Sequence, residues 1–203
     1  MSKELTLHIN GKTYEFSIGR KLGQIPESET LLETLRERLG LTGTKLSCGE
    51  GACGCCAVLM DGKAVASCVT LTVECEGKEI TTIEGLSDPV TGELDPIQEA
   101  FLEHSAFQCG FCTPGIIIAV KSLLNQNPSP TEEEIKEALS GNFCRCISHY
   151  TVMRAINRVA GNGEDHTAVL HRANDDVKDP IPVREELFLS PYAYGTSSDR
   201  TLD

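Results

Sequence analysis

Hydrophobic and polar residues alternate along the first eighty residues in short runs that are typical of β-strands. The runs LTLHI and KTYEFSI flank Asn10-Gly11, a pair that tolerates the positive φ angles of a tight hairpin turn. A second hairpin is predicted over residues 56–70, with its turn at Asp61-Gly62, and KEITTI is a candidate for the last strand. This part of the chain is therefore predicted to be β-rich.

One helix is predicted among these strands. Thr30 opens the sequence TLLE, a capping box, and the apolar stripe of LLETLRERLG follows until Gly40 ends it. Strands that surround a single helix predict a β-grasp, ferredoxin-like domain over residues 1–84.

The pattern changes to a helical period after a predicted linker at residues 85–95, which is rich in Gly, Pro, Asp, Ser and Thr. Four amphipathic helices are predicted beyond it, in PIQEAFLEHS, IIIAVKSLLNQN, EIKEALSG and YTVMRAINRVAG. Pro114 suits a first helical turn, Thr131 opens a second capping box and Gly161 ends the last helix. Residues 96–161 are therefore predicted to be an all-α four-helix bundle, which makes the chain α+β overall.

Residues 162–203 show no periodicity and are rich in Asp, Glu, Pro and Ser. Such a composition is typical of a disordered tail. The apolar positions in PIPVREELFLSPYAY favour instead an extended arm that contacts a partner.

The 203 residues include 18 basic and 30 acidic side chains, a net charge of −12. This balance argues against binding to nucleic acid or to an anionic membrane. No run of 18 apolar residues occurs, and MSKELTLHING lacks the layout of a secretory signal. We expect a cytoplasmic protein without membrane insertion.

Ten cysteines in such a protein are more often metal ligands than disulfides. Four of them have the spacing C-x4-C-x2-C-x11-C, and the first three match the plant-type [2Fe–2S] loop. The glycines between them let the backbone approach a cluster closely. These residues are Cys48, Cys53, Cys56 and Cys68, with Gly49, Gly51 and Gly54 in the loop. A four-cysteine zinc site is the alternative, but zinc knuckles usually lie on separate turns.

Four further cysteines have the spacing C-x2-C-x31-C-x-C, and each pair precedes a predicted helix. Helix N-termini offer free N–H donors and a partial positive charge, which suit an anionic thiolate-ligated cluster. Zinc again remains an alternative. This second set consists of Cys109, Cys112, Cys144 and Cys146.

The remaining candidates are weaker. Cys55 and Cys75 are interpreted as passive small residues. The five histidines show no metal spacing, and there is no dinucleotide fingerprint, phosphate loop or nucleophile elbow. No catalytic acid, base or nucleophile is expected on this chain.

Both cysteine loops, in LGLTGTKLSCGEGACGCCAVLMDG and in QCGFCTPG with NFCRC, resemble the small iron–sulfur subunit of the xanthine oxidase family of molybdenum hydroxylases. The resemblance spans about residues 4–160. It implies a ferredoxin-like and a four-helix domain with one [2Fe–2S] cluster each, beside a large molybdopterin-binding subunit. It also implies that Gln108 contacts the pterin and that Cys146 binds iron close to the pterin amino group.

Two positions depart from the family pattern. Ile147-Ser148-His149 follows Cys146 where the family usually reads Thr-Gly-Tyr, so either His149 occupies the tyrosine position or the loop is one residue longer. Cys55 replaces a common alanine. Neither change touches a cluster ligand. The first falls where contact with the large subunit or the pterin is expected.

The resemblance implies an electron-transfer subunit. Single electrons would pass from the partner's molybdopterin through the C-terminal cluster and then the N-terminal cluster to an FAD-binding subunit or another acceptor. The alternatives are a freestanding ferredoxin-type carrier and a zinc-stabilised interaction module. The substrate of such a complex is selected on another chain.

Overall fold

The first half of the chain forms a five-stranded mixed sheet in the order β2-β1-β5-β3-β4. Strand β1 pairs antiparallel with β2 and parallel with β5, and β3 pairs antiparallel with both β4 and β5. The strands are β1 (Lys3–Ile9), β2 (Lys12–Ile18), β3 (Ala57–Met60), β4 (Lys63–Ala66) and β5 (Glu79–Thr81). The computed structural model describes residues 3–161, so the predicted tail at 162–203 lies outside the described residues.

Both predicted hairpins are confirmed. Asn10 and Gly11 take φ angles of 52° and 71°, and Asp61 and Gly62 take 50° and 80°. Two consecutive residues in the left-handed region match the right-handed twist of the flanking strands, which is why these pairs close tight turns. Strand β4 is shorter than predicted because the chain turns after Ala66, where the Val69 N–H donates to its carbonyl at 3.2 Å.

The predicted helix begins as expected but widens after one turn. Thr30 and Glu33 form the capping box, with the Thr30 N–H donating to the Glu33 carboxylate at 2.8 Å. Helix α1 (Leu31–Glu33) then continues as a π-helical turn over Thr34–Arg38, in which the Leu39 N–H reaches the Thr34 carbonyl. The prediction of a regular α-helix is therefore wrong in this segment. The Thr34 side chain is fully buried there and bonds Thr72 Oγ1 at 2.8 Å.

Alternate residues of β1 face the core of this half. Leu5, Leu7 and Ile9 are completely buried, and they pack in one cluster with Leu31 of α1 and Ile80 of β5. The period of two in LTLHI therefore gives one fully apolar face, as the strand pattern predicts.

The second half contains four helices, α2 (Pro96–Glu103), α3 (Thr113–Gln126), α4 (Glu132–Ala138) and α5 (His149–Ala160). Asp95 and Thr131 close capping boxes at the starts of α2 and α4, and Gly161 ends α5 with a φ of 68°. All four helices are confirmed near their predicted positions. Helix α2 packs against α5, with Phe101 buried in the cluster between the helices.

Helix α3 joins the two halves, because it packs against β3 as well as against α2 and α4. Ile118 lies fully buried between Ala57 and Leu59 of β3, and the Ala64 N–H donates to Ser122 Oγ at 3.0 Å. Residues 3–161 consequently belong to one compact unit. Within this range, no helix is long and apolar enough to cross a membrane.

Candidate iron–sulfur sites

The first cysteine loop precedes β3 and curls back on itself. Gly49, Gly51 and Gly54 take φ angles of 71°, 74° and 72°, which confirms that the loop needs the left-handed region. At Gly51 a side chain would also be crowded, since a Cβ would lie 3.1 Å from a Val69 methyl group. The loop is therefore tight enough for its amides to face the thiols.

Backbone N–H groups point at the sulfurs of this loop. The Glu50 N–H donates to Cys48 Sγ at 3.4 Å, and the Gly51 N–H donates to Cys68 Sγ at 3.3 Å. The Glu50 amide first, and then the Cys53 thiol and further amides, lower the pKa of Cys48 to about 6. These N–H donors stabilise the thiolate of Cys48, which is the form that binds metal.

The β3–β4 hairpin returns Cys68 to the loop. Ser67 donates from its N–H at 3.3 Å and from its hydroxyl at 2.7 Å to the Cys56 carbonyl, which brings Cys68 beside Cys56. Both thiols are buried against Leu32 of α1. The structure therefore brings together the four predicted ligands, with Cys53 next to Cys48 and Cys68 next to Cys56.

Two cysteines lie outside these pairs. Cys55 is 4% exposed, and burial, followed by the neighbouring Cys53 thiol, raises its pKa to about 12. Cys75 is fully buried in the sheet core, where burial raises its pKa to about 11, and its thiol donates to the Leu71 carbonyl at 3.4 Å. Both therefore remain neutral thiols in apolar surroundings.

The second cysteine set lies at the entrances of two helices. Cys112 is the residue before the first turn of α3, and Cys146 lies three positions before the start of α5 at His149. The Cys109 and Cys146 sulfurs are 3.4 Å apart, and Cys144 and Cys146 are 3.9 Å apart. The structure therefore brings together all four predicted ligands of this set across 31 intervening residues.

Hydrogen bonds and burial shift the pKa values of the thiols of the second set in opposite directions. The Ile147 N–H donates to Cys144 Sγ at 3.2 Å, and the pKa of Cys144 is lowered although burial acts in the opposite direction. Burial, followed by its hydrogen bond to Cys144, raises the pKa of Cys112 to about 12. Cys144 is thus the neighbour of both Cys112 and Cys146, and Cys146 is the neighbour of Cys109, so the four thiols form one contiguous set.

Each set supplies four thiols, with backbone N–H groups directed at its sulfurs. This number fits one dinuclear cluster per set, because each iron of a [2Fe–2S] core takes two cysteine ligands.

The two sets are linked through the backbone. The Phe143 N–H, one residue before Cys144, donates to the carbonyl of Cys53 at 3.0 Å. Sequence reasoning did not identify Phe143, because a main-chain donor leaves no signature in the side-chain pattern.

The outer edge of the second set is open. Gln108 and Cys109 are exposed, and the rings of Phe111 and Phe143 are 46% and 63% exposed. The segment that departs from the family pattern lies nearby, since His149 lines an open cavity of about 750 Å³ together with Cys144.

Two family models match this chain one after the other. A 2Fe-2S iron-sulfur cluster binding domain matches residues 7–82, and a [2Fe-2S] binding domain matches residues 82–157. Together with the two thiol sets, these matches define an iron–sulfur protein with two [2Fe–2S] clusters.

Known proteins of similar sequence and structure show which kind of iron–sulfur protein this is. The nicotine 6-hydroxylase small subunit of Paenarthrobacter nicotinovorans is 47% identical over 75% of this chain and 87% of its own length. One subunit of the probable xanthine dehydrogenase of Bacillus subtilis is 43% identical over 77% of this chain and 85% of its own length. The crystal structure of quinoline 2-oxidoreductase from Pseudomonas putida 86 superimposes with a TM-score of 0.71 at 41% identity, over 79% of this chain and 94% of that one.

The chain belongs to the family of small iron–sulfur subunits of xanthine oxidase-type molybdenum hydroxylases. Its function in such an oxidoreductase is electron transfer, and its cofactors are two [2Fe–2S] clusters. The α+β class is confirmed at the level of a mixed sheet with helices.

Proposed function

We propose that this subunit receives electrons from the molybdopterin of a large partner subunit at its C-terminal cluster and passes them through its N-terminal cluster. The acceptor is an FAD-binding subunit or another electron carrier. The observation that carries the proposal is the position of the second thiol set. It is exposed at Gln108 and Cys109, and on its opposite side the Phe143 N–H donates a hydrogen bond to Cys53 of the first set.

The two sets of four thiols give the ligand assignment. Cys48, Cys53, Cys56 and Cys68 hold the N-terminal cluster, and Cys109, Cys112, Cys144 and Cys146 hold the C-terminal one. Bound clusters supply reversible one-electron carriage. The chain itself contributes burial and N–H donors such as those of Gly51 and Ile147, which stabilise negative charge on sulfur and raise the reduction potential.

The domain organisation that goes with this role is a ferredoxin-like domain at 1–84, a linker at 85–95 and a four-helix bundle at 96–161. Helix α3 contacts both halves, which supports a fixed geometry between the clusters. The ten cysteines are all free, which suits a reducing compartment such as the cytoplasm.

The molybdopterin of the partner is contacted by residues at the exposed side of the second thiol set. Gln108 offers an exposed amide that both donates and accepts hydrogen bonds, and Cys146 lies 3.4 Å from the neighbouring Cys109 sulfur. A freestanding ferredoxin-type carrier is the alternative function. Such a carrier requires only one cluster. It therefore does not explain the second thiol set or the exposed rings of Phe111 and Phe143 beside it.

Purification from the native source tests the complex. We expect the chain to copurify with a large subunit that contains molybdenum, and with about four iron atoms per copy of this chain from two dinuclear clusters. Metal analysis and electron paramagnetic resonance (EPR) of the reduced sample are the measurements. A chain that runs alone without molybdenum would contradict the proposal and favour the freestanding carrier.

The position of electron entry is tested by Gln108→Ala in the assembled complex. Loss of one hydrogen bond of about 1 kcal/mol is expected to slow the reduction of the clusters by substrate about fivefold, with both EPR signals retained. The matched control is Asn125→Ala, which removes an exposed amide at the far end of α3. Equal rates in the two variants would refute entry at this edge.

A further inference from the structure

The first turn of α3 lies directly on the first cysteine loop. Gly115 is buried there, and a Cβ placed on it would lie 2.0 Å from the Gly54 carbonyl oxygen and 3.0 Å from the Cys55 Cα. These are backbone atoms, which no side-chain rotation can move away. The two segments therefore meet at a distance that only glycine permits.

Helix formation does not explain this glycine. Gly115 lies within α3 and its φ angle is not positive, so alanine would suit the helix itself better by about 1 kcal/mol. The close approach to the loop is the remaining physical reason for a residue without a side chain.

Gly54 is confined on a second side as well. A Cβ on Gly54 would lie 2.3 Å from the Asn142 side-chain nitrogen and 2.8 Å from the Gly141 carbonyl. The adjacent Phe143 N–H donates to the Cys53 carbonyl at 3.0 Å. The loop is therefore held between both segments that carry the second thiol set.

This contact lies between the two cluster sites. Gly115 follows Cys112 by three residues, Gly54 follows Cys53 directly, and both of these cysteines belong to one buried cluster. A displacement of α3 away from the loop consequently moves Cys112 away from Cys53.

We propose that Gly115 is a positioning residue for electron transfer: its missing side chain lets α3 rest on the Gly54 carbonyl and so sets the distance between the two [2Fe–2S] clusters. The proposal rests on the ligand assignment made above. An alanine Cβ would lie 2.0 Å from the Gly54 carbonyl oxygen, so the segments would have to move apart by at least about 1.4 Å to restore ordinary van der Waals contact. Electron exchange between two centres slows steeply with their separation.

The test is Gly115→Ala in the intact, cluster-loaded subunit. Two reduced clusters are both paramagnetic, and their magnetic splitting falls with the cube of their separation. We expect a smaller EPR splitting and slower electron exchange in the variant, measured by rapid-mixing spectroscopy. A merely structural role would lower the unfolding midpoint and leave the splitting unchanged, so an unchanged splitting and rate would overturn the proposal.

Gly141→Ala is the matched control. It makes the same substitution in the neighbouring segment, where nothing lies within 4 Å of the added Cβ and the φ angle is not positive. We expect wild-type splitting and wild-type exchange rates from it. A loss equal to that of Gly115→Ala would overturn the specific role of Gly115.

If Gly115→Ala alone binds no clusters, the same measurements are made on the double variant Gly115→Ala/Asn142→Ala. Shortening Asn142 frees space on the side of Gly54 that faces it, so the loop can retreat without unfolding. We expect this double variant to load both clusters and to show the smaller splitting. A wild-type protein without two cluster signals would instead contradict the ligand assignment, which distinguishes that failure from an error about Gly115.

Discussion

Cys112→Ala is expected to abolish one of the two reduced [2Fe–2S] signals and to lower the iron content from about four to about two atoms per chain. Cys112 is 7% exposed and pairs with Cys144, so water has little access to replace the lost thiolate. Its side chain makes no capping hydrogen bond to α3, which means that the substitution removes a ligand without removing a helix cap. Iron analysis and EPR of the reduced protein measure the result.

The chain offers two matched controls for this experiment. Cys55→Ala and Cys75→Ala remove equally buried thiols, at 4% and 0% exposure, that belong to neither set. We expect about four iron atoms and both signals from each control variant. If Cys55→Ala lost iron, or if Cys112→Ala kept both signals, the ligand assignment would be wrong.

Phe101→Ala is expected to destabilise the folded protein by about 3–5 kcal/mol, the usual cost of removing a large aromatic side chain from a core. Phe101 is 1% exposed and lies in the cluster of α2, α3 and α5 that also contains Cys112. A cavity at this position would loosen the helix entrances that hold the second thiol set. Denaturant unfolding of the cluster-loaded protein, followed by far-UV circular dichroism and by cluster absorbance, measures the effect.

The control is Leu102→Ala, the next residue of the same helix, whose side chain is 55% exposed. We expect a change within about 0.5 kcal/mol there, because an exposed side chain away from the core contributes little. A comparable loss at Leu102 would show that α2 is sensitive to any substitution, and it would contradict the argument from the core.

Local rules predicted most of the elements. Asn10-Gly11 and Asp61-Gly62 each need two left-handed residues, and Thr30 and Thr131 each form a capping box with a glutamate three residues later. These signals act over a few residues, so they can be read without knowledge of the fold. The spacing of the cysteines is equally local within each loop.

Two local predictions differ from the structure. The helix after Thr30 widens into a π-helical turn at Thr34–Arg38, where Thr34 is buried against Thr72, a residue 38 positions later, so a distant contact overrode the helical preference. Strand β4 stops at Ala66, where the Val69 N–H donates to the Ala66 carbonyl and closes a turn that the residue pattern does not indicate.

The hairpin turns, the helix ends and the two sets of four thiols follow from the amino-acid sequence, because each depends on neighbouring residues or on a characteristic spacing. The spatial relation between the two thiol sets does not follow from the sequence. The hydrogen bond from Phe143 to Cys53 and the contact of Gly115 with Gly54 join segments that are 90 and 61 positions apart. The first contact uses backbone atoms common to all residues, and the second needs a glycine whose partner the sequence does not identify, so the packing of α3 on the first loop defines both.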